Sequence, residues 1–253
     1  MPGTLIAISR RAVRLRAIAV ALHVSTAAIV ATAAGFPDSE TIFPASTRAW
    51  ISISDFRGMQ ARFDKSPYGQ LIADPAMKTF VEHLREQISK NGKQRLSKLG
   101  LTLEDLGKVP GGELAAAAIE VEGGTLATVL LVDTTGHEED AKAVVDRIGS
   151  RLLEQKATKV TVPGAPAQLT VYELPPDPND VRSDAAGRKR RVALAQGPQV
   201  LVVGDDAMQV GQAFSVLAQG RKDSLATVDA YKAVVEQCGS QVPANAAPIR
   251  WFL

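Results

Sequence analysis

Between Gly111 and Lys156, apolar and polar positions alternate, break at a turn and then recur at helical spacing. Leu114 to Val121 and Thr125 to Asp133 are extended, apolar-rich runs, and Glu122-Gly123-Gly124 between them supplies the positive φ that a tight hairpin needs. Leu126 to Val132 is apolar almost throughout, which predicts a strand inside a sheet with both faces covered. Thr135 stands three residues before Glu138, the spacing of a capping box, and Ala141, Val144, Val145, Ile148 and Leu152 then line one face of a helix. A hairpin followed by an amphipathic helix is half a layer of an α+β domain, and the rest of the chain reads as packing on, extending or repeating it.

Ahead of that unit, Ala49-Trp-Ile-Ser-Ile-Ser54 alternates as a strand does, and Phe56, Met59 and Phe63 recur as on a short helix capped by Ser54 or Asp55. Asp74-Pro75 opens a predicted helix with Met77, Phe80, Val81, Leu84 and Ile88 on one face, and a further short helix is expected within 93–106. Beyond it, strands are predicted at 159–162, 168–173, 192–195 and 199–203, helices at 207–219 and 228–237, and a final strand at 248–253 without a partner. Leu71 to Glu82 and Leu225 to Glu236 match without a gap at an offset of 154 residues, which suggests a partial duplication whose second copy stops early. The expected fold is therefore α+β, a mainly antiparallel sheet with amphipathic helices on one face. Its divisions are 1–34, a 35–48 linker or strapped arm, a 49–174 domain, a 175–190 exposed loop and a 191–253 partial second repeat.

Composition changes this picture at the N-terminus. Arg10, Arg11, Arg14 and Arg16 precede an uncharged run from Ala17 to Ala34, and Ala31-Thr32-Ala33 offers an A-x-A site, the layout of a secretory signal peptide. The run is rich in alanine and poor in leucine, which favours cleavage over an uncleaved inner-membrane anchor. Removing 1–34 takes 4 of the 29 basic residues and none of the 27 acids, so the remainder carries 25 against 27, a net charge of −2. That balance speaks against a nucleic-acid partner. Cys238 is the lone cysteine, so the fold cannot rest on an internal disulfide; a small, semi-buried residue near a helix end is its simplest reading.

Candidate chemistry is sparse. Outside the leader, His83 and His137 lie on different predicted helices with no ligand-spaced neighbour, so no metal site is assigned. Gly111-Gly112 and Gly123-Gly124 lack phosphate-loop spacing, and no G-x-S-x-G elbow occurs. Asp177, Asn179, Asp180 and Asp184 share a loop without EF-hand spacing, and Arg188 to Arg191 is a short basic run of the kind found on solvated edges. No catalytic, cofactor or metal residue is assigned. The least implausible acids for an enzyme are Asp55, Asp205 and Asp206.

Taken together, Trp50-Ile-Ser-Ile-Ser-Asp-Phe56, Tyr68-Gly-Gln-Leu-Ile-Ala-Asp-Pro75, Leu103-Glu-Asp-Leu106 and Gly111-Gly-Glu-Leu-Ala115, behind a signal-like leader, resemble bacterial exported proteins of unknown function with a repeated α+β body. The resemblance spans 36–253 and implies an envelope or secreted protein, usually longer than this chain; it transfers no catalytic residue. The reading of the sequence is an exported, periplasmic or extracellular, non-enzymatic binding or structural module of the cell envelope. Its partner would be an envelope protein or ligand, with membrane contact only if 17–34 stays attached. The alternative is a hydrolase-like or regulatory enzyme whose site gathers dispersed carboxylates.

Overall fold

The computed structural model describes residues 36–84, 102–176, 189–217, 219–239 and 249–253. The expected leader, Ile88, Arg188 and the acidic loop at 177–184 lie outside these residues. The chain from Gly35 to Leu253 is one compact unit.

The predicted hairpin is the middle of the molecule. It forms β2 (Leu114–Val121) and β3 (Thr125–Asp133), the bounds read from the sequence, with Gly123 and Gly124 at φ +82° and +70° in the turn. Around it β1 (Thr47–Ile53), β4 (Thr158–Val160), β5 (Leu169–Glu173), β6 (Arg191–Gln196), β7 (Val200–Gly204) and β8 (Ile249–Phe252) complete one eight-stranded sheet in the order β4-β5-β6-β7-β3-β2-β1-β8. Every neighbouring pair is antiparallel. Contrary to expectation, the final strand has a partner: β8 runs against β1, pairing Phe252 with Trp50 and Ile249 with Ile53. Segments 49–174 and 191–253 thus share this sheet, with β6 and β7 lying between β5 and β3.

Alternation along the strands makes two apolar layers. On one face Trp50, Ala115, Ala117, Ile119, Val129 and Leu131 pack with α1 (Ser39–Ile42), α7 (Ala207–Val216) and Tyr231 of α8 (Asp229–Gly239). On the other, Val132, Leu194 and Leu201 meet Ala141, Val144, Ile148 and Leu152 of α6 (Glu138–Glu154), the stripe read from the sequence. The α+β, antiparallel class holds, with helices on both faces rather than one. The reason is visible in β3, where Leu131, Val132 and Asp133 are buried in succession and each face needs a cover, while Leu126 and Thr128 at the other end stay exposed.

Three local features depart from expectation. His137, not Thr135, precedes α6: Thr135 donates from N and Oγ1 to Asp133 Oδ1 at 2.9 and 2.6 Å, while Glu138 accepts from Gly136 N. Asp133, at the end of a strand, captures the hydroxyl that a capping box would have used. Residues 39–47 form the strapped one of the two arrangements read for 35–48, but with a helical turn at Ser39–Ile42 where an extended arm was expected. Ile42 and Phe43 are essentially inaccessible, and Phe43 O accepts from Leu225 N at 2.8 Å. Finally, α2 (Phe56–Lys65), α3 (Pro67–Ala73), the 3-10 turn Pro75–Met77 and α4 (78–84) bury little: of Phe80, Val81 and Leu84 only Val81 is buried. Asp74 caps that 3-10 turn through Ala76 N instead of opening an α-helix directly. The matched segments differ in setting, since Leu71 is half exposed on α3 and Leu225 is fully buried in a 3-10 turn, so the fold does not confirm the duplication.

Candidate functional site

A groove of about 560 Å³ opens where α6 leaves the outer strands of the sheet uncovered. Register puts Lys159 opposite Tyr172 and Thr170 opposite Leu194, so these four point to the α6 side of β4, β5 and β6. Leu194, with Val145 and Leu153 of α6, gives the groove an apolar floor; Gln168 and Gln196 stand at its far end. Tyr172 is only 8% exposed, and a Cβ at Gly149 would lie 2.6 Å from its hydroxyl oxygen. A glycine in mid-helix costs about 1 kcal/mol relative to alanine. Here it leaves room for the phenol to reach the groove beneath α6. A volume of this size is within the range that small-molecule sites occupy, with a lining that is mostly polar and open to solvent.

A second polar cluster lies on the opposite face, beneath the β1-β8 edge. Glu113 is buried and accepts from Ser39 N at 3.0 Å, Ser39 Oγ at 2.8 Å and Ser52 Oγ. Arg250 of β8 lies 2.6 Å from Glu40 and 3.4 Å from Glu113, with its guanidinium 5.1 Å from the centre of the Trp50 ring. Tyr231 stacks edge-on between Trp50 and Phe252 at 5.7 and 5.6 Å. Burial, reinforced by the charge of Glu40, holds the Glu113 carboxyl above the ordinary range despite the serine hydrogen bonds. Burial and the same Glu40 charge keep the Tyr231 phenol protonated well above its usual range. Burial opposes the charge on Arg250, but the two carboxylates outweigh it and raise its pKa. Glu40 Oε2 and Arg250 Nε are buried there without a hydrogen-bond partner among the described residues, while the ion pairs of Arg250 clamp β8 to the body.

A pH dependence follows for Glu113. A carboxyl whose folded pKa is raised binds more protons folded than unfolded, so its contribution to stability is best in acid and declines as pH rises from about 4.5 through the raised value. Asp105, Glu138 and Glu173, held low by bonds from Thr102, Gly136 and Lys189, act in the opposite sense. The difference between wild type and Glu113→Gln isolates the term. Urea titrations should find the variant's relative stability rising between pH 4 and pH 8; a difference independent of pH would remove this role from Glu113.

The acids singled out in the sequence are not gathered. Asp55 accepts from Gly58 N at 2.7 Å and caps α2; Asp206 accepts from Gln209 N at 2.9 Å and caps α7; Asp205 accepts from Thr128 N at 2.7 Å. β1 and β7, which lead into them, stand three strand spacings apart, about 14 Å. Asp206→Ala should therefore cost about 1 kcal/mol in chemical denaturation, as the loss of an N-cap does. His137 lies 3.3 Å from Arg57 Nη2 and 3.4 Å from Asp140, while Arg57 also donates to the Lys108 and Pro110 carbonyls and so ties α2 to the loop before β2. His83 is exposed on α4, and Cys238 is exposed on α8 rather than semi-buried. Gly111 and Gly112 pack against Thr135 and Asp133, and no metal-holding group of His, Cys, Asp and Glu occurs among the described residues. Of the basic run, Lys189 and Arg191 pair with Glu173 at 2.6 and 3.5 Å.

Sequence reasoning missed both clusters. Glu113 had a legible signal: it shares its parity with the inward-facing Ala115, Ala117 and Ile119, so a carboxylate had to be accommodated inside. The groove had none, because it depends on the register of three strands and the placement of α6. No family model matches the chain, and no curated protein or solved structure is significantly similar to it.

Proposed function

We propose that this protein is an exported, non-enzymatic binding module of the bacterial cell envelope and that it binds in the groove between α6 and strands β4 to β6. One observation carries the site: Lys159, Gln168, Tyr172 and Gln196 converge on it, and none of the four has a side-chain partner among the described residues. Asp55, Asp206 and Glu113, by contrast, are engaged in caps and the clamp. Export rests on the arginine-led, alanine-rich leader and its A-x-A site.

Two measurements test the two halves of this reading. Expression with the native leader, followed by fractionation and intact mass, should give a product outside the cytoplasm lacking about the first 33 to 35 residues; a full-length cytosolic product would overturn export. For binding, the chain offers a convenient probe, since its tyrosines number three, Tyr68, Tyr172 and Tyr231. With 3-fluorotyrosine incorporated, the low-molecular-weight fraction of a bacterial envelope extract should move the ¹⁹F signal of Tyr172 and leave the other two in place. If no concentration of that fraction moves it, the groove is not a binding site.

A further inference from the structure

Resting on the groove as a binding site, we propose that its ligand is an acylated amino-acid carboxylate, the chemistry also presented by the C-terminal residue of a peptide. The first argument is charge. Several cations near the groove have carboxylate partners: Lys142 pairs with Asp146, Arg147 with Asp105, Arg151 with Glu154, and Lys189 and Arg191 with Glu173. Asp146 on the groove's own rim is engaged by Lys142 in an exposed pair. Lys159 lines the groove and makes no ion pair among the described residues, which favours an anionic group there.

The second argument is hydrogen bonding. A tyrosine as buried as Tyr172 normally gives its hydroxyl a partner. This one makes no hydrogen bond within the described protein and is not sealed off from the groove. Lys159 and Tyr172 are cross-strand neighbours in register. Side chains so placed stand about 5 Å apart at Cβ. The ammonium and the phenol can therefore each donate to one oxygen of a single carboxylate, as charge-assisted bonds stronger than neutral ones.

The rest of the groove fixes what the carboxylate is attached to. Gln168 and Gln196 each bring a donor and an acceptor on a primary amide, which complements the N–H and C=O of an acyl amide. Val145, Leu153 and Leu194 offer an apolar floor for an aliphatic side chain.

The test uses the same fluorotyrosine-labelled chain, with N-acetyl-L-leucine as the probe and its methyl ester as the uncharged control. The acid should move the Tyr172 signal saturably, and the ester should bind at least about tenfold more weakly, as expected when a charge-assisted hydrogen bond is lost. Lys159→Gln should weaken the acid by about the same factor and leave the ester unaffected. Lys159 is exposed, so this variant leaves the core intact. Amide shifts in a ¹⁵N spectrum would report the groove independently for Tyr172→Phe, which should also lose affinity. Equal binding of acid and ester at Tyr172, or indifference to Lys159→Gln, would overturn the carboxylate while leaving a binding groove. Failure of both probes while the envelope fraction still moves Tyr172 would also overturn the ligand class and spare the groove.

Discussion

Replacing Arg250 with methionine should lower stability by about 3 kcal/mol at neutral pH, because breaking a buried ion pair strands its carboxylates without compensation. Arg250 is the cation between Glu40 and Glu113, and it holds β8 against β1 through those acids and the face of Trp50. Methionine keeps much of the bulk and removes the charge. The loss should shrink in acid, where Glu113 takes up a proton and one of the stranded charges disappears. Adding Glu113→Gln to the Arg250→Met background should recover part of the loss, read from urea midpoints of the two single variants and the double. Additive effects would mean that Arg250 acts through packing alone.

Gly111→Ala should cost a further class of stability, about 2 to 3 kcal/mol for forcing a side chain into filled space. The new Cβ would fall on the backbone carbonyl oxygen of Thr135, which cannot rotate away as a flexible side chain could. Gly111 N donates to Asp133 O at 2.8 Å, and Asp133 in turn organises Thr135, so the loop before β2 and the turn before α6 would have to part together. Gly107 in α5 (Leu103–Lys108) provides the contrast, since a Cβ there meets open space. Gly107→Ala should stabilise the protein by about 0.5 to 1 kcal/mol, the helix-propensity difference. Thermal melts of the pair should therefore shift in opposite directions.

What was legible in the sequence was whatever depends on neighbours along the chain. The bounds of β2 and β3 came from a Gly-Gly turn and period-two alternation, and the α6 stripe came from spacing at three and four. The strap at 39–47 was harder, because a four-residue helix has no period to show and its burial depends on Leu225 and Ser224 far along the chain. Phe80 and Leu84 were placed on one helix face from spacing alone, and spacing gives a face without saying whether anything lies against it; both are exposed. Of the sites, Glu113 was readable from its parity on β2. Lys159 and Tyr172 were not, since their meeting depends on a pairing that only the folded sheet defines.

The partnership of β1 with β8 also sets an order of events. The hairpin closes over a three-residue turn, whereas the Arg250 to Glu40 bond joins positions 210 residues apart, so the two differ greatly in the loop that must be closed first. Contacts of high sequence separation form late and slow the overall rate. Until they form, one side of β1 is an open edge and Trp50 lacks Tyr231 and Phe252. On this ground the central hairpin is expected to form before the β1-β8 margin, and docking of β8 covers β1 while making β8 the edge of the finished sheet.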